Sequence, residues 1–234
     1  MIPFTGPLRE GRLLRRYKRF LADVAFPDGS VEVVHCPNPG AMLGLDTAGA
    51  RAFVSVSDSR TRKLPMTLEI VEADGTLVGI NTNRPNALFA AAILAGTVPE
   101  LGGYARLRRE VPYGRASRVD IVLEGPDRPP AYVEIKNVHL MRRPGLAEFP
   151  DCVTARGARH LAELADVAAA GGRSVMAFVV QRGDCDRVAI AADLDPAYAK
   201  AFAQARRAGV EVLAYGCRVT PEGIGVERPV RIVD

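Results

Sequence analysis

The sequence predicts a mixed α/β protein in which a small β-barrel is followed by an α/β domain. Two observations carry this expectation. From Leu8 to about Ile80, short β-rich runs are separated by Pro, Asp and Gly turn residues, whereas beyond Pro85 the pattern changes to helices interleaved with strands.

In the first region, strands are expected over 12–26 in two pieces and over 31–35, 51–57, 66–71 and 76–80. Pro27-Asp28-Gly29-Ser30 and Ala73-Asp74-Gly75-Thr76 supply the turns. Short strands with regular turns read as a small barrel. Its aromatic residues Phe4, Tyr17, Phe20, Phe26 and Phe53 are few for base stacking and suit a core better. A helix is expected over 85–94, with Pro85 at its start and Gly96 near its end, and the domain boundary falls just before it, giving 1–82 and 83–234. Strands follow over 105–111, 118–123 and 131–138. A helix over 154–170 carries Leu161, Leu164, Ala165 and Ala168 at helical spacing and stops at Gly171-Gly172. A strand over 174–181, a helix over 196–208 with Pro196 in its first turn, and a strand over 210–215 complete the pattern.

With 48% hydrophobic and 25% charged residues in 234, the chain has the composition of a globular protein. No apolar run reaches membrane-spanning length and Met1 to Pro7 lacks signal-peptide character, so a cytoplasmic protein with no membrane partner is expected. The scattered Cys36, Cys152, Cys185 and Cys217 read as free thiols. A net charge of +4 favours an anionic partner. Basic residues cluster at Arg9, Arg12, Arg15, Arg16, Lys18 and Arg19, and again at Arg106, Arg108, Arg109, Arg115 and Arg118, where they can contact phosphates or form solvated faces.

Chemistry concentrates in Ser117-Arg118-Val119-Asp120 and Val133-Glu134-Ile135-Lys136. Side chains two apart on a strand share a face, so Glu134 and Lys136 project together, and an antiparallel neighbour brings Asp120 beside them. Two carboxylates can hold Mg²⁺ or Mn²⁺, and a lysine can orient water or stabilise charge developing on a phosphate. The competing reading is a solvated strand whose Glu and Lys pair weakly. Glu110, near the end of an adjoining strand, either completes the site or pairs with a neighbouring arginine. Arg156 and His160 are four apart, share a helical face and are candidate phosphate contacts, with His160 alternatively packing at an interface. Asp184 and Asp186 fall in a turn, and Asn38-Pro39-Gly40 reads as a tight turn.

The Asp120 and Glu134-x-Lys136 arrangement resembles the PD-(D/E)XK nuclease motif. His35-Cys36-Pro37-Asn38-Pro39-Gly40, Asn81-Thr82-Asn83-Arg84-Pro85-Asn86, Ser117 to Asp120, Val133 to Val138, Phe149-Pro150-Asp151 and Thr154 to Leu161 together resemble the sugar fermentation stimulation protein A family. That resemblance implies an N-terminal OB-like barrel, a C-terminal nuclease-like α/β domain and DNA binding without strong sequence specificity. The site residues expected on the combined reading are Asp120 and Glu134 as ligands of Mg²⁺ or Mn²⁺, Lys136 and Glu110 beside them, and Arg12, Arg15, Arg16, Arg118, Arg156 and His160 on DNA. Three functions compete: a DNA-binding protein with Mg²⁺-dependent phosphodiester hydrolysis, a non-enzymatic DNA-binding regulator linked to sugar (maltose) metabolism, and a metal-dependent hydrolase of RNA or a small phosphorylated molecule.

Overall fold

A computed structural model describes residues 1–59, 61–113 and 117–233, so Arg115 of the second basic cluster lies outside the described residues. The chain opens with a short strand, β1 (Ile2–Pro3), and then forms β2 (Arg9–Tyr17), β3 (Leu21–Ala25), β4 (Val31–His35), β5 (Arg51–Val56) and β6 (Met66–Ala73). These five pair in the order β4-β3-β2-β5-β6, and the sheet closes into a barrel where His35 of β4 meets Thr67 of β6 in parallel. Strand β7 (Thr76–Gly79) returns from β6 through Asp74-Gly75, both with positive φ, as the Asp-Gly turn requires. Leu13, Val24, Phe26, Val34, Val54, Leu68 and Val78 fill the barrel. Of the aromatic residues, Phe4, Phe26 and Phe53 are buried, whereas Phe20 is exposed.

Helix α1 (Pro85–Leu94) leads into a seven-stranded sheet that includes β8 (Arg106–Tyr113), β9 (Ser117–Gly125) and β10 (Arg128–Val138). A small sheet takes β11 (Leu140–Arg143) and β12 (Leu146–Phe149). The chain continues through α2 (Ala155–Ala169), β13 (Arg173–Val180), β14 (Arg187–Ile190), α3 (Pro196–Arg207), β15 (Glu211–Thr220), β16 (Gly223–Pro229) and β17 (Arg231–Ile232). The large sheet runs β1-β16-β15-β13-β10-β9-β8, with β10, β13 and β15 parallel because α2 and α3 supply the crossovers. The expected helices and longer strands form within a few residues of their expected ends. Strands β1, β11, β12, β14, β16 and β17 are not legible in the sequence, because most are runs of two to four residues that show no period and β16 opens on Gly223-Ile224-Gly225.

Alternation along β10 and β13 divides the core. Val133, Ile135, Val175 and Ala177 pack beneath α1, while Val138, Met176 and Phe178 pack beneath α2 and α3. Glu134 and Lys136 therefore emerge on the α2 side. Thr154 caps α2 by accepting from the Gly157 N–H, and Asp195 caps α3 by accepting from the Tyr198 N–H.

The barrel is fastened to the sheet by polar contacts. The Gly79 N–H donates to the Gln181 carbonyl at 2.8 Å, and buried Arg182 donates to Asp74 of the barrel turn at 3.0 Å and to both oxygens of Asp184. Asp151 accepts from the Met42 N–H at 2.9 Å and contacts the His139 ring at 3.4 Å. A β-carbon at Gly40 would stand 2.8 Å from the Asp151 Cγ, so this approach requires glycine. Burial pushes the Asp151 carboxyl up, but His139 and the Met42 N–H outweigh it and hold it at about 2. A depressed carboxylate stabilises the fold above its usual value of 3.8, and that stabilisation disappears as pH falls through about 2. Asp151→Asn is accordingly expected to lower urea stability by about 2 kcal/mol at pH 7, with the difference from the parent protein narrowing below pH 4. Equal differences at pH 7 and pH 2.5 would contradict this account.

Candidate functional site

A cleft of about 550 Å³ opens between the barrel and the sheet. Its acidic wall comes from adjacent strands. Tyr132 and Val133 of β10 oppose Val122 and Ile121 of β9, and continuing this register sets Asp120 beside the Glu134 to Lys136 segment. One Asp120 oxygen accepts from the Ile135 N–H at 2.7 Å, tying the carboxylate to β10. The other accepts from Asn86 Nδ2 at 2.7 Å, and the same amide reaches Glu110 Oε1 at 3.2 Å. Helix α1 carries no acid, so a neutral donor at its start bridges two carboxylates from neighbouring strands. Glu110 itself has φ of 53°, a left-handed conformation rare for a side chain other than Gly, Asn or Asp.

Glu134 is 2% exposed. Its Oε1 accepts from Lys136 Nζ at 2.7 Å and from His160 Nδ1, whereas its Oε2 is buried without a hydrogen-bond partner. Arg156 Nε donates to His160 Nε2 at 3.3 Å, which leaves the imidazole proton on Nδ1, facing Glu134. The shared helical face expected for Arg156 and His160 is realised, with Arg156 toward the cleft and His160 buried against the carboxylate. Burial and the Glu134 charge raise the Asp120 carboxyl to about 6, against the Ile135 N–H, Lys136 and Asn86. Burial likewise pushes Glu134 up, but His160 and Lys136 outweigh it and hold it below the usual carboxylate range.

Asp120 and Glu134 fit a hard divalent cation. They are two desolvated carboxylates in mutual repulsion, and one offers a buried oxygen that nothing in the protein satisfies. Among the described residues, no three His, Cys, Asp or Glu side chains converge to enclose a metal. Such a site leaves coordination positions for water and substrate oxygens, as Mg²⁺ commonly does.

The structure thus brings together Asp120, Glu134, Lys136, Glu110, Arg156 and His160. It places the other candidates elsewhere. Arg12 is exposed and donates to the Gly49 carbonyl, and Arg15 pairs with Asp23 at 2.7 Å. Arg16 donates to the carbonyls of Arg19, Asn38, Gly40 and Ala41, where it braces the turn that forms the barrel side of the cleft. Arg118 is exposed on β9 opposite Pro112 and does not line the cleft. Sequence reasoning assigns no role to Asn86, Asn137, His139 or Asp151, all of which line it together with Arg19 of the first basic cluster. Asn86, Asn137 and Asp151 stand in three of the quoted sequence words, which is the available signal.

The family model described as the SfsA N-terminal OB domain matches residues 14–80, and that described as the sugar fermentation stimulation protein RE domain matches residues 83–223. A sugar fermentation stimulation protein homolog of Rhodospirillum centenum is 58% identical over 229 residues, covering 98% of both chains. The homolog of Brucella ovis is 56% identical over 231 residues, covering 99% of this chain and 97% of its own. The solved structure of Pyrococcus furiosus SfsA in complex with Ca²⁺ has a TM-score of 0.90 at 26% identity, covering 100% of this chain and 98% of that one. With two family models filling most of its length and relatives identical at more than half their positions, the chain belongs to the sugar fermentation stimulation protein family.

Proposed function

We propose that this protein binds DNA without strong sequence specificity and that its cleft hydrolyses phosphodiesters with Mg²⁺ or Mn²⁺ in the manner of PD-(D/E)XK nucleases. On this reading the protein works in the cytoplasm, with a barrel domain over 1–82 and a nuclease-like domain over 83–234. The observation that carries it is the unpartnered, buried Glu134 Oε2 in the same cleft as the desolvated Asp120. The Ca²⁺ complex of the Pyrococcus relative supports a divalent cation in this family.

Asp120 and Glu134 would hold the metal. When bound, it would supply a Lewis acid for a phosphate oxygen and lower the pKa of a coordinated water. Lys136 Nζ, bonded to Glu134 and 3.3 Å from His160 Nδ1, lines the cleft, where its ammonium can stabilise charge that develops on the phosphate. Arg156 lines the same cleft and offers its guanidinium to a second phosphate oxygen. His160 links Arg156 to Glu134 and so acts by positioning both. Asn86 stands between Asp120 and Glu110 and limits their repulsion.

One observation favours the alternative, a non-enzymatic DNA-binding regulator of sugar metabolism. The Lys136 ammonium and a hydrogen bond from His160 already satisfy Glu134 Oε1 without a metal. Cleavage of single- and double-stranded DNA separates the two readings. Metal-dependent cutting is expected to fall at least a hundredfold in Glu134→Gln and in Lys136→Ala, with DNA binding at low salt retained. Binding without cutting by the parent protein under Mg²⁺ and Mn²⁺ would favour the regulator.

The Asp120 shift adds a pH prediction. A raised carboxylate is protonated below about 6, and the stability it contributes in the metal-free protein is lost as pH rises through that value. Mg²⁺ should therefore raise the melting temperature little at pH 5 and progressively more above pH 6, and Asp120→Asn should abolish the increment. A shift that does not vary with pH would place the metal elsewhere.

A further inference from the structure

A second recess, of about 410 Å³, opens on the barrel flank, and Asn83 lines both it and the acidic cleft. Its walls include His35 at the end of β4, Ser57, Asp58, Arg62, Thr67 and Arg84, and Asp58 forms no ion pair with either arginine among the described residues. At its base lies Glu69, a carboxylate only 3% exposed. An isolated buried carboxylate is strongly unfavourable, and here three donors offset it: Ser55 Oγ at 2.8 Å, Asn81 Nδ2 at 2.8 Å and Arg84 Nε at 2.7 Å.

This network fixes Arg84. Its Nε is engaged by Glu69, and the guanidinium lies 4.3 Å over the ring of Phe4. Among the described residues, its two terminal nitrogens make no other hydrogen bond. Arg62 donates to Thr67 Oγ1 at 3.1 Å, and no carboxylate of the described residues lies within ion-pairing distance of it. Burial, with the Arg62 charge, holds the His35 imidazole below its usual range, which makes it a neutral hydrogen-bonding group at pH 7. A rigid guanidinium fork, a second arginine without an acidic partner and nearby hydroxyl groups match the tetrahedral oxygens of a phosphate.

We propose that the Arg62 and Arg84 recess binds a phosphate of a nucleic-acid strand whose scissile phosphodiester lies in the acidic cleft, with the Asn81 to Asn83 segment as the ridge between the two. This rests on the nucleic-acid reading of the cleft and extends it, since a phosphate held at a fixed distance would set where the strand is cut. Neither arginine stands in the basic clusters noted from the sequence. Phosphate in this recess is chemically distinct from metal-bound phosphate, because arginine forks and hydroxyls bind it without a cation.

The test is fluorescence anisotropy of short labelled single strands, with a 5′-phosphate or a 5′-hydroxyl, bound to the full chain in EDTA across a salt series. Arg62→Ala is the decisive variant, because the Arg62 side chain is exposed and, among the described residues, donates only to Thr67. It is expected to bind about tenfold more weakly. Its plot of log K against log salt should be shallower by about 0.7 for each phosphate that the variant no longer neutralises. Arg84→Lys, which keeps the charge and loses the fork, should also weaken binding. A 5′-phosphate preference in the parent protein that vanishes in Arg62→Ala identifies a terminal phosphate, whereas equal weakening of both strands identifies an internal one. Parent-like affinity and salt slope in Arg62→Ala would overturn the recess while leaving the cleft reading intact. No binding by the parent protein even at low salt would overturn the nucleic-acid reading, and the recess with it.

Discussion

A carboxylate that is 2% exposed must have its charge balanced locally, and Glu134 imposes that demand on every element around the cleft. Lys136 answers from the same strand, two residues on, and His160 from α2. Asp120 sits beside it on β9, with its own repulsion moderated by the Ile135 N–H and by Asn86 at the start of α1. The polarity of the site follows. One oxygen of Glu134 is engaged by the Lys136 ammonium and by the His160 N–H and the other is buried without a protein partner, an arrangement suited to a cation held between Glu134 and Asp120.

The barrel supplies the opposite wall of the cleft. Its Asn38 to Gly40 turn is held from one side by the Arg16 guanidinium and abuts Asp151 on the other. Arg182 and Gln181 extend the fastening along the junction. Both of these side chains are almost fully buried, so relative movement of the two parts would expose charged or amide groups to incomplete pairing. The cleft is thereby a fixed geometric feature. Left-handed backbone at Arg19, Met42 and Glu110 gathers around it: Arg19 and Glu110 line it, and Met42 donates to its Asp151.

Glu69 in the barrel follows the same logic as Glu134. Each is a buried acid whose donors are held in place by it, and in each case a cationic or amide group is presented to a neighbouring cavity. The two cavities share Asn83, in the segment that connects the last barrel hairpin to α1. Binding and chemistry can therefore be arranged along one short stretch of chain.

By itself the sequence determined a β-rich first region and a second region of interleaved helices and strands, because turn residues and the change from a two-residue to a helical period are local signals. It also determined the proximity of Glu134 and Lys136, which strand alternation guarantees, and that of Arg156 and His160, which helical spacing guarantees. Only the tertiary structure decided that Asn86 bridges Asp120 and Glu110, that His160 meets Glu134 from another element, and that Arg16 braces a turn while Arg84 faces a recess. It also decided that the first strand joins the sheet of the second region through β16. These are contacts between elements distant in sequence, set by sheet order and by which face each helix covers. The type of a residue shows whether it can donate or accept a hydrogen bond; its partner depends on what the fold brings within about 3 Å of it.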